Sequence, residues 1–177
     1  GGGDPDFAAT EKYNGTSWTE VGDLNTARRT LAGFGTQTAG LAAAGQTGSQ
    51  SNATELFNGT AWTEVNELNT ARRFVAGSGI QTSGLVTGGN APSEAINESW
   101  DGTSWTEVGD LNTGRTSLVN CGTSNTSAIA VGGQPGRAIT ELWDGTSWTE
   151  VNDLNTGRAE ISGAGSATSG LIFGTTV

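Results

Sequence analysis

Short runs of alternating hydrophobic and polar residues recur along the chain, and one of them returns four times almost unchanged. In this run Trp and Val alternate with Thr and Glu, and its tryptophans are Trp18, Trp62, Trp105 and Trp148. Alternation with a period of two is typical of a β-strand that buries one face. A segment that alternates a glutamate with an aromatic residue precedes each run, so we predict two consecutive strands in every copy.

A dipeptide that favours a tight turn separates the two predicted strands of each copy. Asn-Gly and Asp-Gly readily adopt the positive φ that two-residue hairpin turns require. The four dipeptides are Asn14-Gly15, Asn58-Gly59, Asp101-Gly102 and Asp144-Gly145. The sequence therefore predicts four β-hairpins of the same construction.

A second pair of strands, rich in small residues, follows each hairpin. The segments RTLAGFG with GLAAAG, and RFVAGSG with GLVTGG, are examples. Small side chains suit strands that converge where space is short. Each repeat of about 43 residues therefore contains four strands, and a repeat of this length is typical of propellers and solenoids.

The repeat resembles the kelch repeat family. The resemblance rests on a small-residue strand that begins at an arginine, a strand that ends in a glycine pair such as Gly88-Gly89, an aromatic residue, and a tryptophan after the next turn. It implies an all-β fold, a four-bladed kelch-like β-propeller with four antiparallel strands in each blade. The implied blades of this single domain, residues 1–177, are about 28–65, 72–108, 115–151, and 158–177 together with 1–21.

The last of these blades is split between the two parts of the chain. The strands from Arg158 onward are the first two of a blade, and the strands around Trp18 are the last two. Pairing them within one chain would complete the ring and leave no exposed sheet edge. The alternative is a larger ring, such as eight blades, shared between two chains. We expect a monomeric ring.

Charge and composition exclude some partners. The net charge of −10 argues against binding to nucleic acid, because phosphate binding needs clustered Lys and Arg. Most acidic residues recur at three positions of the repeat and so belong to the scaffold. No apolar run approaches the roughly 18 residues of a membrane span. A chain that lacks Met and opens with Gly-Gly-Gly is expected to be a product of processing or part of a longer protein.

Residue types for catalysis or metal binding are scarce. The chain has no His and a single cysteine, Cys121, so it can form neither a Cys/His metal site nor an intrachain disulfide. We predict no catalytic residue, no metal site, no cofactor and no enzymatic activity. We expect the repeated Glu and Arg to pair at blade interfaces, and the aromatic residues to form core. Carbonyl groups on the predicted axis are a second candidate site, for a cation or water.

The loops between the second and third strands of each copy differ most between copies, and the prolines lie there. Residues shared by all copies are explained by the scaffold, whereas loops on a rigid scaffold commonly carry binding residues. The candidate ligand-binding residues on this loop face are Asp4, Asp6, Gln50, Asn90, Glu94, Gln134 and Arg137.

Two functional hypotheses follow from the sequence. The first is a protein-binding or glycan-binding module, and the resemblance to repeats of phage and bacterial structural proteins implies a virion or surface location. The second is a purely structural unit, natural or engineered, whose only partner is itself.

Overall fold

The computed structural model describes residues 6–90, 92 and 94–175 of the 177-residue chain. These residues form eighteen strands, two of which are only two residues long. The described residues include no helix, and hence no apolar helix long enough to cross a membrane. The prediction of an all-β chain is confirmed.

Three sheets of four strands each are complete copies of the repeat. The first contains β3 (Ala32–Thr36), β4 (Ala39–Ala43), β7 (Thr54–Phe57) and β8 (Trp62–Val65). The second contains β9 (Ala76–Ile80), β10 (Ser83–Thr87), β11 (Asn97–Trp100) and β12 (Trp105–Val108). The third contains β13 (Val119–Ser124), β14 (Ser127–Val131), β15 (Thr140–Trp143) and β16 (Trp148–Glu150).

Two hairpins hold the remaining strands of the repeat. They are β1 (Glu11–Tyr13) with β2 (Trp18–Glu20), and β17 (Ile161–Ser166) with β18 (Ser169–Gly174). By position in the repeat, β17–β18 corresponds to the first two strands of a sheet and β1–β2 to the last two. The two-residue strands β5 (Gln46–Thr47) and β6 (Ser49–Gln50) pair within the loop between β4 and β7.

Strands that are consecutive in the repeat pair antiparallel in each full sheet. The loops from the second to the third strand therefore lie at the same end of the sheet as the linkers that leave the fourth strand. Backbone bonds confirm this, because the Leu68 N–H donates to Asn52 O at 2.9 Å and the Leu111 N–H donates to Ala95 O at 3.0 Å. We call this end, which carries residues 44–53, 88–90, 92, 94–96, 132–139 and the linkers, the loop face.

The tight turns at the opposite end follow the predicted chemistry. In one turn the Asp101 carboxylate accepts hydrogen bonds from the backbone N–H groups of Thr103 and Ser104, both at 2.8 Å. Asn58 accepts the corresponding bonds at 3.0 Å. The glycine that follows has a φ near 96° in each turn, which an L side chain rarely adopts. Asx turns of this kind explain why only Asn or Asp occupies the position.

Aromatic pairs and leucines form the core between neighbouring sheets. Leu41 of the first sheet clusters with Trp100 and Trp105 of the second. Leu85 of the second sheet clusters in the same way with Trp143 and Trp148 of the third. The rings of the repeated aromatic pair lie 5.1–5.3 Å apart in all four copies. The predicted core role holds for the aromatic pairs of the second and third sheets, whereas Trp62 of the first sheet is half-buried and Trp18 of the β1–β2 hairpin is 65% exposed.

The first strands of the four copies line one cavity, which we call the axial cavity. β3 packs beside β9, β9 beside β13, and β13 beside β17. This cavity of about 330 Å³ is lined by residues 31–33, 75–77, 118–120 and 161–163, three from each of these strands or the residues just before them. Small residues such as Gly33, Gly77 and Gly163 are part of this lining, beside larger side chains such as Leu31 and Leu118.

The predicted pairing that would complete the split blade is not among the sheets. In the described residues β1 pairs only with β2, and β17 pairs only with β18. Each hairpin instead contacts the nearest full sheet, since Trp62 Nε1 donates to Thr10 Oγ1 at 3.0 Å and β17 packs on β13. The side chains of β1–β2 stay mostly exposed. We call the unpaired junction between β17–β18 and β1–β2 the seam.

The Asx turns make stability depend on pH. The N–H groups of Ser104 and Thr103 lower the pKa of Asp101 below its ordinary 3.8, and those of Ser147 and Thr146 do the same for Asp144. A carboxylate with a lowered folded-state pKa adds stability above its unfolded pKa, and this stability is lost as the pH falls through the folded value.

We therefore expect the double variant Asp101→Asn and Asp144→Asn to lose less stability than the wild type between about pH 4 and pH 2. Asn14 and Asn58 show that asparagine makes the same turn, so the two proteins should match near pH 7. Urea unfolding midpoints across this range measure the difference, and parallel pH profiles would contradict the assignment.

Candidate functional site

A buried arginine binds backbone carbonyls of the loop in each of the three full sheets, and in one of them it holds both ends of the loop. Arg72, which is fully buried, donates from Nη1 to the carbonyl oxygens of Gly88 at 2.9 Å and Ile96 at 2.7 Å. These carbonyls mark the first and last residues of the loop. Arg115 repeats the bond at Ile139 O, 2.7 Å away. The guanidinium group, with five donors in a rigid plane, suits this role.

A buried glutamate balances each of these arginines. Arg72 Nη2 lies 3.0 Å from Glu98 Oε1, and Arg115 Nη2 lies 2.9 Å from Glu141 Oε1. The equivalent pair Arg28–Glu55 is 3.2 Å apart. The predicted pairing is confirmed for these three copies. Each arginine lies in the linker that precedes the first strand of a sheet, and its glutamate lies in the third strand of that sheet.

An asparagine of the preceding linker joins each pair and connects neighbouring sheets. Asn69, for example, donates from its backbone N–H at 2.7 Å and from Nδ2 at 2.8 Å to Glu98 Oε2. Burial lowers the pKa of Arg72, whereas the charges of Glu98, Glu107 and Asp110 oppose that shift. The three repeated acidic positions therefore surround one buried cation, which explains much of the negative charge of the chain.

Backbone bonds repeat with the same regularity along the loops. The N–H groups of Gly45, Gly89 and Gly133 donate to the carbonyl oxygens of Arg72, Arg115 and Arg158 at 2.8–3.1 Å. The backbone N–H groups of these three arginines donate in turn to the carbonyl oxygens of Ser51, Glu94 and Arg137 at 2.8–3.1 Å. Every loop is therefore bound to the linker that begins the next copy.

Four residues with a strained backbone, one from each copy, surround the mouth of the axial cavity. Thr30, Phe74, Ser117 and Glu160 have φ values of 56°, 55°, 54° and 55°. We call these four residues the rim. The N–H of each later rim residue donates to the carbonyl of the preceding one at 3.0–3.1 Å. Positive φ is unusual for residues other than glycine, and for a β-branched residue such as Thr30 it is an outlier.

Most of the predicted binding residues occupy equivalent backbone positions. Asn90 and Gln134 follow the glycine that binds the next linker, and Gln46 holds the same place in the first full sheet. The backbone carbonyls of Glu94 and Arg137 accept a hydrogen bond from the N–H of the next arginine, as do those of Phe7 and Ser51. The side chains differ from copy to copy while the backbone geometry is the same.

Contacts around the rim involve several of the predicted residues. Asp6 lies 2.5 Å from Arg29 Nη1, and Gln134 Nε2 donates to Glu160 Oε1 at 2.9 Å. Gln50 pairs with Gln46 in the β5–β6 ladder. Glu94 is exposed and Arg137 is partly buried. Asp4 lies outside the described residues.

Sequence reasoning missed the rim and its neighbours. Arg73 donates to Gln46 Oε1 at 2.5 Å, and its guanidinium lies 5.3 Å from the centre of the Phe74 ring. The rim residue always stands two positions after the repeated arginine, where the four copies read Thr, Phe, Ser and Glu. That variation next to an invariant residue was a signal in the sequence, although it falls in a linker and not in the variable loops.

Other chemistry is scarce in the described part of the chain. It contains no group of three or more His, Cys, Asp or Glu residues placed to hold a metal ion. Burial raises the pKa of the Cys121 thiol, which disfavours the reactive thiolate. A scan against protein-family models matches no family, and a search of curated proteins finds no match.

The buried ion pair gives a test of the scaffold. Replacing Glu141 by Leu leaves the Arg115 charge buried without its partner, and we expect a loss of about 3–5 kcal/mol in the free energy of unfolding. The double variant Arg115→Met and Glu141→Leu should lose less than the single variant, because no unpaired charge remains.

The matched control is Glu20→Gln, which changes an exposed repeated glutamate and should alter stability by less than about 0.5 kcal/mol. Urea unfolding at neutral pH measures all three proteins. A double variant less stable than Glu141→Leu would show that the arginine stabilises the fold without the glutamate.

Proposed function

We propose that the chain is a non-enzymatic recognition module that binds a protein or glycan partner through its loop face. The observation that carries the proposal is the contrast at this face between an identical backbone and unlike side chains. The four rim residues share one φ within two degrees, yet they are Thr, Phe, Ser and Glu. A scaffold explains the shared backbone and leaves the side chains free to specify a ligand.

Rigidity of the loops supports the proposal. Arg72 holds both ends of its loop through Gly88 O and Ile96 O, and the loop also bonds to the next linker. Preorganised loops lose little conformational entropy when a partner binds. Strained backbone that the surroundings hold in place is a recurrent property of functional sites.

The exposed side chains of the loop face are mostly polar, with one aromatic ring among them. They favour a partner whose surface is polar and includes an apolar group. Phe74 is 37% exposed and contacts Arg73, while Glu160, Gln134 and Glu94 are exposed beside or beyond it. An exposed aromatic residue with adjacent arginine is typical of interaction hot spots. The resemblance of the repeat to phage and bacterial structural proteins favours a virion or cell-surface setting for this partner.

The fold that we propose for this module is a four-bladed kelch-like propeller closed within one chain. Three complete sheets and two half-sheets around one axial cavity support it. The half-sheets β17–β18 and β1–β2 would together form the fourth blade. A larger ring shared by two chains is the rival arrangement.

A structural assembly unit is the second candidate function, and exposed apolar residues favour it. Trp18 and Leu171 are each 65% exposed, and Phe173 is 50% exposed. Exposed apolar strands at sheet edges promote association between chains. A stable multimer that binds no ligand would support this function.

Making the rim uniform tests recognition. The double variant Phe74→Ser and Glu160→Ser places at two rim positions the residue that Ser117 already carries at the same φ and that is not β-branched, so the backbone should tolerate it. The wild type is first screened on a glycan array and a surface-displayed peptide library. Against a ligand so identified, we expect the variant to bind at least about tenfold more weakly, as loss of a hot-spot residue implies.

The control is Asp101→Asn with Asp144→Asn, which changes the opposite end of the sheets and should leave the affinity within about twofold, since it removes no contact at the loop face. Melting temperature and circular dichroism of each variant verify folding. Equal affinity of the wild type and the rim variant would contradict the proposal, as would a loss confined to the control.

A further inference from the structure

The position directly after the repeated buried arginine carries a second arginine in two of the four copies. In chain order this position reads Arg29, Arg73, Thr116 and Ala159. Both second arginines are partly buried, and each stands directly before a rim residue. Because they hold the same place in the repeat, the surroundings of the two side chains can be compared directly.

Arg29 has an acidic partner within the chain. Its Nη1 lies 2.5 Å from Oδ1 of Asp6, a residue that precedes β1, and the two side chains are 27% and 26% exposed. An arginine and a carboxylate in such contact form a charge-assisted hydrogen bond. The charge of Arg29 is therefore neutralised before any ligand binds.

The surroundings of Arg73 are neutral. Its Nη1 donates to Oε1 of Gln46, an amide, and its guanidinium lies 5.3 Å from the centre of the Phe74 ring. The side chain of Asn90 accepts only the backbone N–H of Arg73, at 3.3 Å. Among the described residues no carboxylate forms an ion pair with Arg73, and its buried Nε has no hydrogen-bond partner.

A cation without an acidic partner is notable in this chain, which has eighteen acidic residues and eight basic ones. The buried arginines of the three full sheets each pair with a glutamate. Partial burial has removed water from the guanidinium of Arg73, and a neutral amide and an aromatic ring do not replace a counter-charge. A carboxylate from outside the chain would supply the counter-charge that Asp6 supplies to Arg29.

We propose that Arg73, with Phe74 beside it, binds a single aspartate or glutamate carboxylate of a protein partner. The carboxylate would take the place at Arg73 that Asp6 has at Arg29. Nη2 of Arg73 makes no hydrogen bond within the described residues and is not buried, so its donors are open to an incoming carboxylate. This inference rests on the recognition function proposed above and names the group that the loop face recognises.

The charges around Arg73 restrict the ligand to one negative charge. Glu94 and Glu160 are exposed on the same face, and the whole chain carries a net charge of −10. Like charges across an interface are unfavourable, so a run of acidic residues or a doubly charged phosphate is repelled. A single carboxylate flanked by neutral residues fits this surface best.

The aromatic neighbour favours a protein as the source of the carboxylate. The guanidinium of Arg73 lies over the ring of Phe74, which reduces the aromatic surface on which a sugar ring could stack. Arginine and aromatic residues are enriched among the residues that dominate binding at protein interfaces. We therefore expect an acidic side chain of a protein and not an acidic sugar.

Selection from a surface-displayed peptide library with the wild-type protein tests the inference. We expect the selected peptides to share an aspartate or glutamate at one position. For such a peptide, Arg73→Gln should weaken binding about tenfold or more, and so should replacing the shared acid by its amide. Making both changes together should weaken binding no further than either change alone, because the two groups act on each other.

The matched control is Arg29→Gln, which removes the same charge at the same place in the repeat, from an arginine that Asp6 already neutralises. Its affinity should stay within about threefold of the wild type, because only a screened long-range charge is lost. Circular dichroism and melting temperature verify that both variants fold.

Three results of the peptide selection overturn the inference and leave protein recognition in place. They are selected peptides without a shared acid, equal losses in Arg73→Gln and Arg29→Gln, and tighter binding when phosphoserine replaces the shared acid. A ligand found only on a glycan array also overturns it, although the module would still be a recognition module. A protein that binds nothing in either screen overturns the proposed function together with this inference.

Discussion

The buried arginine at the start of each copy is the group on which the rest of the structure depends. Its charge is removed from water, which is costly unless hydrogen bonds and an opposite charge compensate. Arg72 obtains that compensation from Glu98 and from the carbonyls of Gly88, Ile96 and Val86. One side chain thereby fixes the third strand and both ends of a loop. Asn69 extends the same network to the preceding linker, so neighbouring copies are joined through it.

In the same loop residues, the backbone supports the fold and the side chains are left to contact a ligand. Because the arginine holds the loop by its backbone carbonyls, the loop side chains carry no part of that bond and can vary. Glu94 and Arg137 accept the same backbone hydrogen bond although their charges are opposite. Variation at the loop face therefore costs the fold little, whereas variation at Arg72 or Glu98 would leave a charge unpaired.

Sequence periodicity predicted the strands, the turns and the ion pairs because each depends on residues close together in one repeat. Asn58 and Asp101 make their turns within three residues. The rim was not predicted, since its φ values arise from bonds between residues in successive copies, such as Phe74 N–H to Thr30 O.

Because the copies are nearly identical, their common residues do not specify which sheet packs beside which. Three buried polar residues that differ between copies contribute to this choice. Asn120 occupies a position that is glycine in the other first strands; its Nδ2 donates to Thr87 Oγ1 at 2.8 Å, and Thr87 bonds to Asn97 at 2.9 Å. These residues lie in the second and third sheets. Placing the third sheet beside any other copy would leave Asn120 without its acceptor, at a cost of about 1–3 kcal/mol for the buried amide, whereas the bond between Thr87 and Asn97 lies within the second sheet. The shared core favours every order equally, so the order is decided by the buried positions at which the copies differ.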